Sequence, residues 1–230
     1  MGDNVITPAL VIDVISDVVC PWCYIGKRKL EAALAELRKR EPEVELTVRW
    51  HPFQLNPDLP ASGIPRALYL EGKFGGARRA AEIYARVRAA GAEVGLSFEF
   101  DRIMLQPNTL DAHRLIAWSQ QSASGGKVDD LVERLFRAYF IEGRFVGNRH
   151  ELAAIAGDAG YPAAEAAALL ASDVGRVEVE AENREAKEVG ISGVPFFIFN
   201  GRTAVSGAHD PPTLLDAMAA ARTQDADSQP

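Results

Sequence analysis

Ala9-Leu10-Val11-Ile12-Asp13-Val14-Ile15 is a short apolar run rich in β-branched residues, and it predicts a buried parallel strand. Leu30, Ala33, Leu34 and Leu37 then recur at helical spacing. Arg38-Lys39-Arg40 suit the C-terminal end of that helix, and Glu41-Pro42 stops it. A clean alternation follows. Val44, Leu46, Val48 and Trp50 take one face of a strand, and Glu45, Thr47, Arg49 and His51 the other. The first 51 residues therefore read strand, helix, strand, which is one βαβ unit.

From about Pro60 to Gly160 the pattern is helical, broken by Gly, Pro and Ser. Helices are expected over Ala77–Ala90, Thr109–Gln121, Asp129–Ile141, Glu151–Ala159 and Ala163–Ala171. Leu96-Ser97-Phe98-Glu99-Phe100 is the strand-like exception. The last part returns to mixed structure. Val174–Val189 is a charged helix ending at Gly190, and Val194–Phe199 is a strand opened by proline. Asn200-Gly201 predicts a tight hairpin, so Arg202–Ser206 should return antiparallel. Asp210 and Pro211 can open a final helix that buries Leu214, Leu215 and Met218. Thr223–Pro230 is polar and expected to fray. The order is that of an α/β core, residues 1–59 and 166–230, split by an all-α insertion, residues 60–165.

Composition narrows the function. Apolar residues make up 47 % and charged residues 25 %, as in soluble globular chains. A net charge of −7 argues against nucleic acid as a partner. No run approaches the ~20 apolar residues of a membrane helix. No targeting signal is visible, because Asp3 lies where a basic region would be and Asp13 and Asp17 interrupt the apolar run. The expectation is a cytoplasmic protein. Two cysteines exclude a multi-disulfide scaffold and an all-cysteine zinc site.

Those two cysteines, Cys20 and Cys23, stand between the first strand and the first helix. A C-x-x-C beside a βαβ pattern is a thioredoxin-like redox motif. At a helix N-terminus, unsatisfied N–H groups and the positive dipole end stabilise a Cys20 thiolate. Cys23, one turn inward, can attack the resulting mixed disulfide and release the product. Pro21 lacks an N–H, which is harmless at that position. The bland alternatives are half a metal site or two core thiols. His51, His113, His150 and His209 show no i, i+4 pairing, so no metal is expected.

The strand–Cys-Pro-Trp-Cys–helix arrangement, the helical insertion and the late Gly193-Val194-Pro195 resemble the thioredoxin-like DsbA superfamily. Finer motifs resemble its FrnE branch: Ser16-Asp17-Val18-Val19 before the cysteines and Tyr24-Ile25-Gly26 after them; Trp50-His51-Pro52-Phe53-Gln54-Leu55; Asn108-Thr109 with Ala112-His113-Arg114-Leu115; and Gly207-Ala208-His209. The likeness spans about Val11 to Met218. It implies a thioredoxin-like fold with an inserted all-α domain, and dithiol–disulfide exchange. It implies a cis Val194-Pro195 bond facing the cysteines, with the Val194 backbone free to pair with an extended substrate. It also places Gly207, Ala208 and His209 beside that proline, as a substrate or glutathione loop. One departure from DsbA itself is Trp22, where the strongly oxidising periplasmic protein has histidine; one thiolate donor is thereby absent.

Other residues are weighed singly. Trp22 can pack over the cysteines and touch substrate, or be an exposed junction aromatic. Asp17 can relay the Cys23 proton, or raise the Cys20 pKa, or simply end the strand. Asp13 sits within an apolar strand, and a buried acid under the pair can accept a proton in thioredoxin-like proteins. His113, among Leu115, Ile116 and Trp118, is by default a core histidine and otherwise an active-site group; Asn108 is a further candidate. His51 and His150 read as surface or packing. The expected partner is a disulfide- or thiol-containing protein or small molecule. No cofactor is tightly bound, glutathione is a co-substrate candidate, and a homodimer is compatible with the chain. A competing reading is a glutathione-dependent isomerase or transferase, resembling 2-hydroxychromene-2-carboxylate isomerase and the kappa-class glutathione transferase. Those relatives usually carry serine at the first cysteine position and lack the second. A third reading is a non-catalytic, redox-responsive binding protein or holdase.

Overall fold

The computed structural model describes residues 9–122 and 127–226. The chain runs β1 (Ala9–Ser16), α1 (Pro21–Arg40), β2 (Glu45–Pro52), β3 (Ile64–Pro65), α2 (Arg66–Phe74), α3 (Ala77–Glu93), β4 (Leu105–Gln106), α4 (Leu110–Gln121), α5 (Val128–Phe140), α6 (Arg149–Asp158), α7 (Ala163–Ala171), α8 (Arg176–Glu188), β5 (Phe196–Phe199), β6 (Thr203–Ser206) and α9 (Pro211–Ala226). The main sheet has the order β2-β1-β5-β6, so the first apolar run is a central strand. β1 pairs parallel with β2 and antiparallel with β5. The Asn200-Gly201 turn forms with both residues in the left-handed region, and Asn200 also accepts from Val11 N–H at 2.8 Å.

Alternation along β1 explains the layering. Leu10, Ile12 and Val14 join one large core with Leu30 and Leu34 of α1, Phe197 and Phe199 of β5, and Leu214 and Met218 of α9. Ile15 packs on the opposite side with Phe53 and Ile191, beside Ala186 of α8. The helical stretch between β2 and α8 shares the first core through aromatic packing. Tyr24 of α1 stacks on Phe136 of α5 at 4.9 Å between centroids. Its hydroxyl donates to Glu133 at 2.6 Å, and Lys27, 3 % exposed, pairs with the same carboxylate at 3.0 Å. The expected 165/166 division lies within α7.

The structure corrects several local expectations. Leu96–Phe100 is not a strand; it ends in a 3-10 turn over Phe100–Arg102. Leu96, Phe98 and Phe100 are buried, and Phe98 and Phe100 stack on each other and meet Phe140 edge-on. The alternation therefore reports core burial of a segment that lacks a ladder partner. The pattern also missed α2 and the small β3–β4 pair. The last helix runs on to Ala226, past the expected fraying at Thr223, and residues 227–230 lie outside the described ones. Asp210 stands just before that helix and Pro211 is its first residue; the Asp210 carbonyl accepts from Leu214 N–H at 3.3 Å, and its carboxylate pairs with Lys29 of α1 at 2.6 Å.

Candidate active site

β1 ends at Ser16 and α1 begins at Pro21, and the short loop between them delivers Cys20 to the helix N-cap in an extended conformation. Pro21 occupies the first turn, where no N–H is required. Both cysteines are free thiols and buried. The hydrogen bond from Cys23 and the N–H groups of Cys23 and Trp22 stabilise the Cys20 thiolate. They outweigh burial and the nearby Asp17 charge, so the Cys20 pKa lies below the ordinary thiol value. Cys23 behaves oppositely. Burial pushes its thiol well above the ordinary value, and the neighbouring Cys20 adds to this. Cys20 is thus the more readily ionised thiol of the pair, and Cys23 the more firmly protonated.

The second wall comes from the far end of the chain. Val194-Pro195 is a cis peptide. Cys20 Sγ donates to the Val194 carbonyl at 3.5 Å, although 174 positions separate the two residues. Gly26, on the inner face of α1, admits the proline ring: a Cβ there would lie 2.8 Å from Pro195 Cγ. Gly207 N–H donates to the Pro195 carbonyl at 2.8 Å, which fixes the Gly207–His209 loop beside the proline. Lys29 holds that loop from α1, reaching the Ala208 carbonyl at 3.1 Å. His209 is exposed in it. Trp22, 42 % exposed, stands at the junction itself.

Residues 11–219 match the model of the DsbA-like thioredoxin domain. The chain belongs to that family. Among solved structures, a probable DsbA oxidoreductase from Streptomyces coelicolor, SCO1869, superposes with a TM-score of 0.80 at 30 % identity, covering 96 % of this chain and 92 % of that one. Bacillus subtilis (strain 168) has a relative, uncharacterized protein YwbO, that is 26 % identical over 202 residues, or 86 % of this chain and 90 % of its own. A 2-hydroxychromene-2-carboxylate isomerase shares the fold, with a TM-score of 0.64 at 16 % identity over 96 % of this chain and all of that one. The likenesses support thiol–disulfide oxidoreductase or isomerase chemistry at the level of the family. Among the described residues no helix is long and apolar enough to cross a membrane. None of their His, Cys, Asp and Glu side chains group as a metal site.

The remaining members of this DsbA-like site divide into two groups. Asp17 is wholly buried, so it is not a surface strand-end charge; its Oδ2 accepts from Leu55 N–H at 2.8 Å. His113 of α4 comes to 3.4 Å from Asp17 Oδ1. Asn108, by contrast, serves the scaffold. Its amide donates to the Pro57 and Leu59 carbonyls, and its oxygen accepts from Leu110 N–H and Gln54. Asp13 is not a free acid under the cysteines. Arg49 binds both its oxygens at 2.6 and 2.8 Å, and His51 approaches at 2.8 Å. Burial alone would raise the Asp13 pKa, but these partners hold it below the usual value. His51 is accordingly an ion-pair partner bridging Asp13 and Glu182 rather than a plain surface residue. Sequence reasoning quoted Ser16 and Gly26 within motifs without giving either a role, and did not name Lys29. A glycine inside a helix, which costs about 1 kcal/mol against alanine, was the available signal for Gly26.

Proposed function

We propose that this DsbA-like protein is a cytoplasmic thiol–disulfide oxidoreductase working through Cys20 and Cys23. The observation that carries the reading is the Cys20 sulfur at the α1 N-terminus, 3.5 Å from the Val194 carbonyl, with Cys23 one turn behind it. The Cys20 thiolate attacks a substrate disulfide; a Cys20–substrate disulfide forms and one substrate thiolate leaves. Cys23 loses its proton and attacks Cys20 Sγ. The mixed disulfide breaks, the Cys20–Cys23 disulfide forms, and the second substrate sulfur leaves as thiolate. The substrate gains two electrons and the dithiol loses two. A thiol co-substrate, with glutathione as the candidate, returns the pair to the dithiol through the reverse exchanges. The Val194 backbone next to Cys20 offers an extended substrate a strand-like partner, and the Gly207–His209 loop borders the same groove.

Two thiols favour redox work over the isomerase reading, which needs only one sulfur or hydroxyl. The test is turnover of insulin disulfides with a thiol reductant. Cys20→Ser should abolish it, and Cys23→Ser should accumulate a mixed disulfide at Cys20. A double serine variant that reduces insulin at the wild-type rate sinks the reading. Isomerisation of a chromene carboxylate that survives Cys23→Ser would move the protein to the isomerase class.

A further inference from the structure

His113 carries a buried ring nitrogen, Nε2, with no hydrogen-bond partner. The residue is 4 % exposed, and Asp17 Oδ1, 3.4 Å away, is itself unpartnered. Native structures rarely leave such groups unpaired, so a missing partner points to a bound molecule. His113 lines a cleft of about 390 Å³ between β2, α4 and α8, within the size range of small-molecule sites. A single water, at about 30 Å³, would fill only a small part of it. Buried Ser16 and His113 set its inner end, and exposed Arg49, Gln121 and Glu182 its mouth. Among the described residues that line it, none belongs to the groove of Cys20, Trp22, Val194 and Pro195.

The walls decide what fits. Val18, Val48, Pro52, Ile116 and Val132 make them mainly apolar, and Trp50 adds a buried indole. That indole is fixed, because its Nε1 donates to Asp129 at 2.8 Å, and it favours an aromatic body beside it. An added peptide strand is excluded at this edge of the sheet. The Gln120 side-chain amide already accepts from the Trp50 N–H at 2.7 Å and donates to the Trp50 carbonyl at 2.9 Å. An ion is disfavoured too. Arg49 and His51 are engaged by Asp13, and His51 approaches Glu182, so the charges at the mouth are paired among themselves. The Asp17 carboxylate behind His113 repels an anionic head. A hydroxyl both donates and accepts, so it satisfies Nε2 in either tautomer and can meet the Ser16 hydroxyl as well.

We propose that this cleft binds a neutral hydroxyaromatic molecule, with its ring against Trp50 and the apolar walls and its hydroxyl on His113 Nε2 and Ser16. The site stands apart from the groove at Cys20 and does not depend on the dithiol reading. Its tie to the cysteines is Ser16, whose hydroxyl also donates to the Cys23 sulfur.

The probe is 4-ethylphenol, titrated into reduced, nitrogen-15-labelled protein. The Trp50 indole N–H signal should shift and saturate with a dissociation constant of about 1 mM or below. The Trp22 indole signal, next to Cys20, should stay in place. Ethylbenzene, which lacks the hydroxyl, and 4-ethylbenzoate, which is anionic, should each bind about tenfold more weakly. His113→Phe keeps a ring but removes Nε2. It should weaken 4-ethylphenol about tenfold and leave ethylbenzene within about twofold, a split that general loosening of the fold would not produce. Ala117→Trp fills the cleft and should abolish the shift. Wild-type protein alkylated at Cys20 with iodoacetamide should bind the probe as before. The absence of a saturable shift, equal affinity for 4-ethylphenol and ethylbenzene, or loss of binding on alkylation overturns the proposal, and these measurements need no variant. Unaltered binding in both variants overturns it too. Failure of insulin reduction defeats the dithiol reading alone and leaves the cleft site standing.

Discussion

Alanine at Gly26 and alanine at Gly72 are the same chemical change in two helices, and the structure gives them opposite signs. Each removes a helix-interior glycine, a gain of about 1 kcal/mol from backbone propensity. At Gly72 of α2 nothing lies within 4 Å of the new Cβ, so the gain stands alone. At Gly26 the Cβ would meet Pro195 Cγ at 2.8 Å, Phe197 Cζ at 3.2 Å and Pro195 Cβ at 3.3 Å. The proline ring is rigid and Phe197 is fully buried, so neither yields cheaply. Overpacking of this kind costs about 1–3 kcal/mol. Gly26→Ala should therefore lose about 1 kcal/mol net, and Gly72→Ala should gain roughly 0.5–1 kcal/mol. Equilibrium urea unfolding with unchanged m-values measures both. Because relief at Gly26 pushes Pro195 away from α1, insulin reduction should fall in that variant and remain at wild-type level in Gly72→Ala. Equal stabilisation of the two variants, with full activity in both, would refute the packing of α1 against Pro195.

Other outcomes follow from the charged and sulfur groups. Glu133→Gln strips Lys27 of one buried partner and should cost about 2–3 kcal/mol, less than a fully broken buried pair because Glu31 remains. Burial opposes the Glu133 charge, but Tyr24, Lys27 and Arg28 hold its pKa below the usual carboxylate value. The stabilisation is therefore present above about pH 4.3 and lost as pH falls through the lower folded value; an acid-independent difference from Glu133→Gln would contradict this. Hydrogen bonding to Glu182, then Asp13, raises the His51 pKa above 6.5 against the effect of burial. Its contribution is complete below that value and disappears as pH rises through the folded pKa, so the stability gap to His51→Gln should narrow on going alkaline; a constant gap would argue against the bridge. Iodoacetamide should alkylate Cys20 at pH values below the ordinary thiol range and spare Cys23, as peptide mapping can show; equal labelling would remove the distinction between nucleophile and resolver.

Much of the fold and the centre of the site are legible along the chain because they rest on local physics. A β-branched run, a helical repeat and a period-2 alternation specify β1, α1 and β2 through side-chain periodicity alone. Asn200-Gly201 specifies its hairpin because both residues tolerate positive φ. Cys20 at a strand–helix junction implies a stabilised thiolate before any coordinate is known, since the helix N-terminus supplies the N–H groups. What packing decided is everything that depends on distance through space. Period-2 burial at Leu96–Phe100 looks like a strand, yet only a neighbouring ladder can make one, and the segment packs on aromatic rings instead. Asp13 and Asp17 are four positions apart with similar local surroundings. Tertiary neighbours give the first to Arg49 and His51, and set the second, wholly buried, against His113. No local pattern brings Val194 to Cys20 or fits Pro195 against Gly26, because those contacts exist only once β5 lies antiparallel beside β1.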